Sequence, residues 1–200
     1  MLEPSREQIE RATKIIDETP RGPLPVDVAQ SFIDRFYDSD PDVISQWPMP
    51  AAWNPLIVAF FDATEMPETT RKTDMIPWCA AFANWCIERA RGDGSRSASS
   101  QSFLSPSFRR VTTPVRGDLV VFSNHDPATD QPLGSGHVAF IEPAADGRLV
   151  MLGGNQSGKK GEGRYSIISR KPAPTTYEIK DKGTGAVKAV ARLTAYVSLT

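Results

Sequence analysis

The 200-residue chain is 40% hydrophobic and carries a net charge of −1, an ordinary globular composition with enough apolar material for a sizeable core. Its longest apolar runs, such as Leu56 to Phe61, are far shorter than the about 20 residues a bilayer requires, which excludes a membrane span. Charge is uneven, with 5 Lys+Arg against 13 Asp+Glu in residues 1–70 (−8) and 18 against 11 in residues 71–200 (+7). The acidic segment packing on a basic body accounts for this, as does attraction to an anionic polymer. No arginine-rich or aromatic-interleaved basic strip points to nucleic acid.

Met1 to Glu7 has neither a basic stretch nor an apolar stretch of the secretory kind, so no signal peptide is expected. Ile9, Ala12, Ile15 and Ile16 recur at helical spacing between Ser5 and Asp17, and the breakers Pro20, Gly22, Pro23 and Pro25 end that segment. A second helix is predicted from about Val26 to Tyr37, burying Val28, Phe32, Ile33 and Phe36. Pro41, Pro48 and Pro50 mark a loop or linker, which divides the chain into a helical extension, residues 1–50, and a catalytic domain, residues 51–200. A third helix starts at Asn54-Pro55, with Asn as N-cap and Pro in the first turn.

Residues 77–90 read as an amphipathic helix headed by Cys79 and announced by Asp74 and Pro77. The Ser-rich residues 91–107 are predicted to form a loop with a short helix. After Pro114 the pattern turns to strands, at residues 118–122, 137–142, 148–152, 165–168 and 187–193. Helices first and strands afterwards imply an α+β fold.

The only cysteines, Cys79 and Cys86, are seven residues apart on one helix. Their Cα atoms would stand roughly 10 Å apart, too far for a disulfide. Together with the only histidines, His125 and His137, they match no structural zinc pattern, so neither metal nor other cofactor is expected.

A cysteine attacks as thiolate, and the unpaired N–H groups of a helix N-terminus favour that anion. Cys79 occupies such a position, whereas Cys86 lies two turns deeper and reads as a small buried hydrophobe. Of the two candidate bases, His125 sits among turn formers in a polar stretch. His137 opens a strand after Gly134-Ser135-Gly136 and is taken as general base, later general acid. A hairpin centred on Ala145 would set His137 opposite Gly153 and Asn155 diagonally across, roughly 7–8 Å away. Asn155 is therefore chosen to orient the imidazole. Glu142, five residues from His137, falls on the opposite face. Asp118 is a second candidate for orientation or substrate contact. The backbone N–H of Cys79 would hold an oxyanion, and Trp78 is expected either to line the substrate groove or to pack under the helix.

The blocks Pro77-Trp-Cys-Ala-Ala-Phe-Ala-Asn-Trp-Cys86, Gly117-Asp-Leu-Val-Val-Phe122, Gly136-His-Val-Ala-Phe140 and Leu152-Gly-Gly-Asn-Gln-Ser157 together resemble the CHAP (cysteine, histidine-dependent amidohydrolase/peptidase) family, within the NlpC-type and papain-like cell-wall hydrolases. The similarity covers roughly residues 53–170. It implies a papain-like fold with helices on a small antiparallel sheet, Cys79 as nucleophile, His137 as base and Asn155 as orienter. Gln156, beside Asn155, is placed with Trp78 and Asp118 as a substrate contact. The implied reaction is amide hydrolysis in peptidoglycan, within stem peptides, at crossbridges, or between N-acetylmuramic acid and L-alanine. Many CHAP proteins carry Gln directly before the nucleophile, where Trp78 stands here, so the resemblance names no second oxyanion donor.

Such an enzyme would be made in the cytoplasm and act in the periplasm or cell wall after non-classical delivery. A phage lysin and a type VI secretion antibacterial effector both suit that description, the latter with a cognate immunity protein as partner. The alternative from another class is a non-catalytic wall-binding or interaction module that keeps the fold. Acyl transfer or proteolysis of proteins would use the same Cys-His chemistry.

Overall fold

The computed structural model describes residues 2–48, 51–70, 72–144, 146–158, 165–181 and 183–199. Pro50 and Ala145, the linker marker and the hairpin centre of the sequence reading, lie outside them. Helical segments occupy the first 104 residues and named strands begin at Arg110, an α+β arrangement in the predicted order. The chain divides into two compact units, Met1–Ala98 with Leu152–Arg170, and Ser99–Met151 with Lys171–Thr200.

The first unit is mainly helical. Helix α1 (Arg6–Glu18) starts in a capping box: Ser5 Oγ accepts the Gln8 N–H at 3.2 Å and Gln8 Oε1 accepts the Ser5 N–H at 2.7 Å. Ala12 and Ile15 are buried, while Ile9 stays 45% exposed, so the apolar face is narrower than its spacing suggested. Helix α2 (Pro25–Phe36) buries Val26, Val28, Ala29 and Phe32 and leaves Ile33 and Phe36 half-buried. Helix α3 (Pro55–Ala59) begins as predicted: Asn54 Oδ1 accepts the Leu56 N–H at 2.9 Å. The Asn54 Nδ2 also donates to the carbonyls of Val43 and Ser45, tying α3 to the preceding 3₁₀ turn.

Helix α4 (Cys79–Arg89) departs from the amphipathic expectation. Every residue from Cys79 to Ile87 is buried, and exposure begins only at Glu88. Ala80, Ala81 and Ala83 allow close approach by neighbours, and α2 packs against this helix. Phe32, Phe60, Trp78, Phe82 and Trp85 form the aromatic core, with Phe60 and Phe82 centroids 5.1 Å apart and Phe60 and Trp85 5.4 Å apart. Each edge-to-face pair contributes about 0.5–1.5 kcal/mol beyond its burial. At its far end, the Arg89 Nε donates to the Thr19 carbonyl at 3.0 Å and its Nη2 to Asp17, compensating carbonyls left over at the end of α1.

Asp74 does not cap α4. Fully buried, its Oδ2 accepts the backbone N–H groups of Trp47 (3.0 Å) and Asn54 (2.9 Å), so its role is to join two loops.

The second unit is built on strands β1 (Arg110–Val111), β2 (Leu119–His125), β3 (Pro132–Pro143), β6 (Thr176–Lys180) and β7 (Val187–Val197), paired antiparallel with β2 between β3 and β7. The sequence pattern missed β1 and β6, both of which pair with β7. Val120 and Phe122 with Ala139 and Ile141 alternate onto one face, where Met151 and Ala191 complete a core. The intervening Leu119, Val121, Val138 and Phe140 are buried too, so β2 and β3 are enclosed on both faces. Strands β4 (Leu149–Gln156) and β5 (Ile167–Pro172) are hydrogen-bonded neighbours.

The turn between β3 and β4 closes with the Ala144 N–H on the Arg148 carbonyl (2.8 Å) and the Gly147 N–H on the Ala144 carbonyl (3.0 Å), with Gly147 at φ +79°. Ala144 and Arg148 form the closing pair, and Gly147 supplies the left-handed residue before the second strand.

Candidate active site

Pro77 and Trp78 lead from the turn at residues 74–76 into α4, and Trp78, at φ −118° and ψ 12°, supplies the N-cap backbone without any side-chain cap. The Phe82 N–H on the Trp78 carbonyl (2.9 Å) closes the first turn. Cys79 is the first helical residue, 4% exposed, in the turn where a helix dipole favours negative charge. Cys86 is fully enclosed, and burial pushes its thiol well above the ordinary range, which keeps it neutral. Neither cysteine is in a disulfide.

Of the two places open to Trp78, it takes the one under the helix. Its ring is 0% exposed, stacks on Phe60 at 6.2 Å, and donates through Nε1 to Ser166 Oγ at 3.1 Å; Ser166 Oγ in turn donates to Gln46 Oε1 at 2.9 Å. The ring is a packing element under the helix and presents no face to a substrate.

Asn155 stands near the end of β4, half-buried, with φ +57°, a left-handed conformation that Asn tolerates better than most side chains. The residue before it, Gly154, lies against α4: a Cβ there would come within 2.4 Å of the Trp78 ring and 2.9 Å of Phe82 Cβ. This contact brings the strand end that carries Asn155 onto the residue immediately before Cys79. Gln156 is 4% exposed; its Oε1 accepts from Ser169 Oγ at 3.4 Å, and its Nε2 makes no hydrogen bond among the described residues.

His137 and Asp118 belong to the second unit. His137 lies on β3 opposite Phe122 of β2, is 9% exposed, and its Nε2 has no hydrogen-bond partner among the described residues. Burial first, and the positive charge of Lys171 second, lower its pKa from 6.5 to about 4. The ring is therefore neutral at pH 7, the form that can accept a proton. Asp118 is 3% exposed, and its Oδ2 accepts the Val115 N–H at 2.8 Å in the turn that enters β2. It bonds through its backbone to Ile141, four residues along β3 from His137, a separation of about 13 Å. That distance removes Asp118 as the group orienting the imidazole. His125, expected in a loop, ends β2 with Nδ1 2.9 Å from the Asp130 carbonyl oxygen.

Two polar residues escaped the sequence reading. Asn84, in the middle of the apolar α4, donates through Nδ2 to the carbonyls of Ala80 (3.0 Å) and Ser97 (2.9 Å), and accepts the Arg96 N–H at 3.1 Å. It pins the loop after the helix, and a lone amide on an otherwise apolar helix was the available signal. Gln101 is the other, and its sequence neighbourhood of serines carried no such signal. Among the described residues, no group of three or more His, Cys, Asp or Glu is placed to hold a metal ion, and no helix is long and apolar enough to cross a membrane.

Residues 71–155 match the family model of the CHAP domain, in agreement with the resemblance carried by the four sequence blocks. The matched stretch contains Cys79 and His137 and ends on Asn155. It points to an amidase or peptidase of the peptidoglycan-hydrolase type. No curated protein and no solved structure matches the chain.

Proposed function

We propose that the stretch of this chain matching the CHAP domain serves a papain-like thiol hydrolase that cleaves an amide bond of peptidoglycan, with Cys79 as nucleophile, His137 as base and Asn155 orienting the imidazole. The observation that carries this reading is the position of one cysteine: Cys79 opens α4 at a helix N-terminus with no side-chain cap, inside the matched stretch. The only other thiol, Cys86, is held neutral by burial.

In the proposed reaction the neutral His137 takes the Cys79 proton, and the sulfur attacks the scissile carbonyl carbon. The Cys79 N–H, at the start of α4, stabilises the resulting oxyanion. Collapse breaks the C–N bond, and imidazolium returns its proton to the departing amine, leaving a thioester. Water, deprotonated by His137, then attacks the thioester; the acid is released and the thiol regains its proton. Gln156 is assigned to substrate contact. Residues 51–200 form the catalytic domain in this reading and residues 1–50 a helical extension. Peptidoglycan is the substrate, and an antibacterial effector would add a cognate immunity protein that covers Cys79, which a phage lysin would lack.

Digestion of purified sacculi tests the reading. Wild type and Cys86→Ala are expected to release soluble muropeptides and Cys79→Ala none, and mass spectrometry of the products identifies the bond cut. Equal release by Cys79→Ala sinks thiol catalysis.

A further inference from the structure

The β2 strand is irregular where it faces His137. Its register against β7 shifts between Val121 and Phe122, and its register against β3 shifts between Ser123 and His125, so Phe122 and Ser123 sit between two irregularities. Such bulges leave backbone groups without a ladder partner. Gln101, on the 3₁₀ turn Ser100–Leu104, meets both residues: its Nε2 donates to the Phe122 carbonyl at 3.0 Å, and its Oε1 accepts from Ser123 Oγ at 2.7 Å. Ser123 Oγ also accepts from Thr194 Oγ1 at 2.8 Å, which extends the link to β7.

The same carboxamide bears on β3. A Cβ at Gly136 would stand 1.9 Å from the Phe122 oxygen and 2.4 Å from Gln101 Nε2, so the strand passes the clamp without room for any side chain. His137 is the next residue and the register partner of Phe122.

We propose that Gln101 is a positioning residue for His137: its carboxamide holds the irregular Phe122–Ser123 segment of β2 and thereby sets the β3 backbone that carries the imidazole. The inference rests on the reading of His137 as the functional base, but its test is independent of turnover. Loosening the clamp admits water to the ring, so the ring titrates nearer the ordinary histidine value of 6.5.

The chain has two histidines, so proton NMR titration resolves each ring once His137→Gln has assigned them. Gln101→Ala is expected to raise the His137 pKa by about one unit or more. Ser123→Ala, which removes the bonds to Gln101 Oε1 and from Thr194 Oγ1 but keeps the Nε2 bond to the Phe122 carbonyl, should give a smaller rise in the same direction. Ser102→Ala, on the same turn, should give none. On a muropeptide substrate, Gln101→Ala should lower kcat about tenfold with KM within about twofold. If Gln101→Ala does not fold, Ser123→Ala decides the matter. An unchanged His137 titration in every folded clamp variant overturns the proposal. Muropeptide release by Cys79→Ala would overturn the catalytic reading instead, and the titration would still report on the clamp.

Discussion

Gly154 and Trp78 are in such close contact that a single methyl group at residue 154 would fall 2.4 Å from the indole ring. Because Trp78 is fully buried and precedes the nucleophile candidate, the strand end and the helix head form one packed unit. Gly154→Ala is therefore expected to destabilise the protein by about 1–3 kcal/mol through overpacking. Urea unfolding measures this, and an unchanged midpoint would mean that the ring has room to move.

Asn155 allows backbone and chemistry to be separated. Its φ of +57° is open to glycine and costly for alanine. Asn155→Gly should keep the wild-type Tm while turnover falls at least about tenfold, whereas Asn155→Ala should lose both. Full activity in a folded Asn155→Gly protein would rule out the orienting role.

The two thiols should respond differently to alkylation. Cys86 is enclosed and its thiol raised by burial, whereas Cys79 opens a helix. Iodoacetamide at pH 6–7 should modify Cys79 and leave Cys86 untouched, as read by peptide mass spectrometry. Sluggish alkylation of Cys79 would favour a non-catalytic module.

Stability should fall on acidification because of His137. Its folded pKa of about 4 lies below the ordinary 6.5, so the unfolded chain takes up the proton first. The stabilising contribution is complete above about pH 6.5 and is lost as the pH drops toward 4, by up to about 3 kcal/mol. Urea unfolding at pH 7.5, 5.5 and 4.5 should show this slope, and His137→Gln should flatten it. Equal slopes in the two proteins would show that the ring is not buried.

Asn84 makes four hydrogen bonds to the loop beyond α4 and one to the Ala80 carbonyl of its own helix. Asn84→Leu would leave the Arg96 N–H and the Ser97 carbonyl without this partner and cost about 2 kcal/mol or more. Limited proteolysis should then cut residues 91–98 faster than in wild type.

Features encoded by neighbouring residues were readable before any fold was known. The helical spacing after Ser5, the Asn54-Pro55 start of α3 and the onset of α4 at Cys79 each depend on residues close together in the chain, so residue type and spacing suffice. The alternating strands of the second half were legible for the same reason, and the order of Cys79, His137 and Asn155 with their flanking blocks carried the family resemblance that the CHAP match bears out. Burial was not legible, because it depends on what long-range packing brings to each face. Trp78 could have walled a groove or packed under the helix, and only its contact with Gly154 decides for packing; Asp74 looked like a helix signal, yet it lies between Trp47 and Asn54. The enclosure of α4 on every side and the meeting of Gln101 with Phe122 likewise arise from residues distant in sequence, whose approach no local pattern specifies.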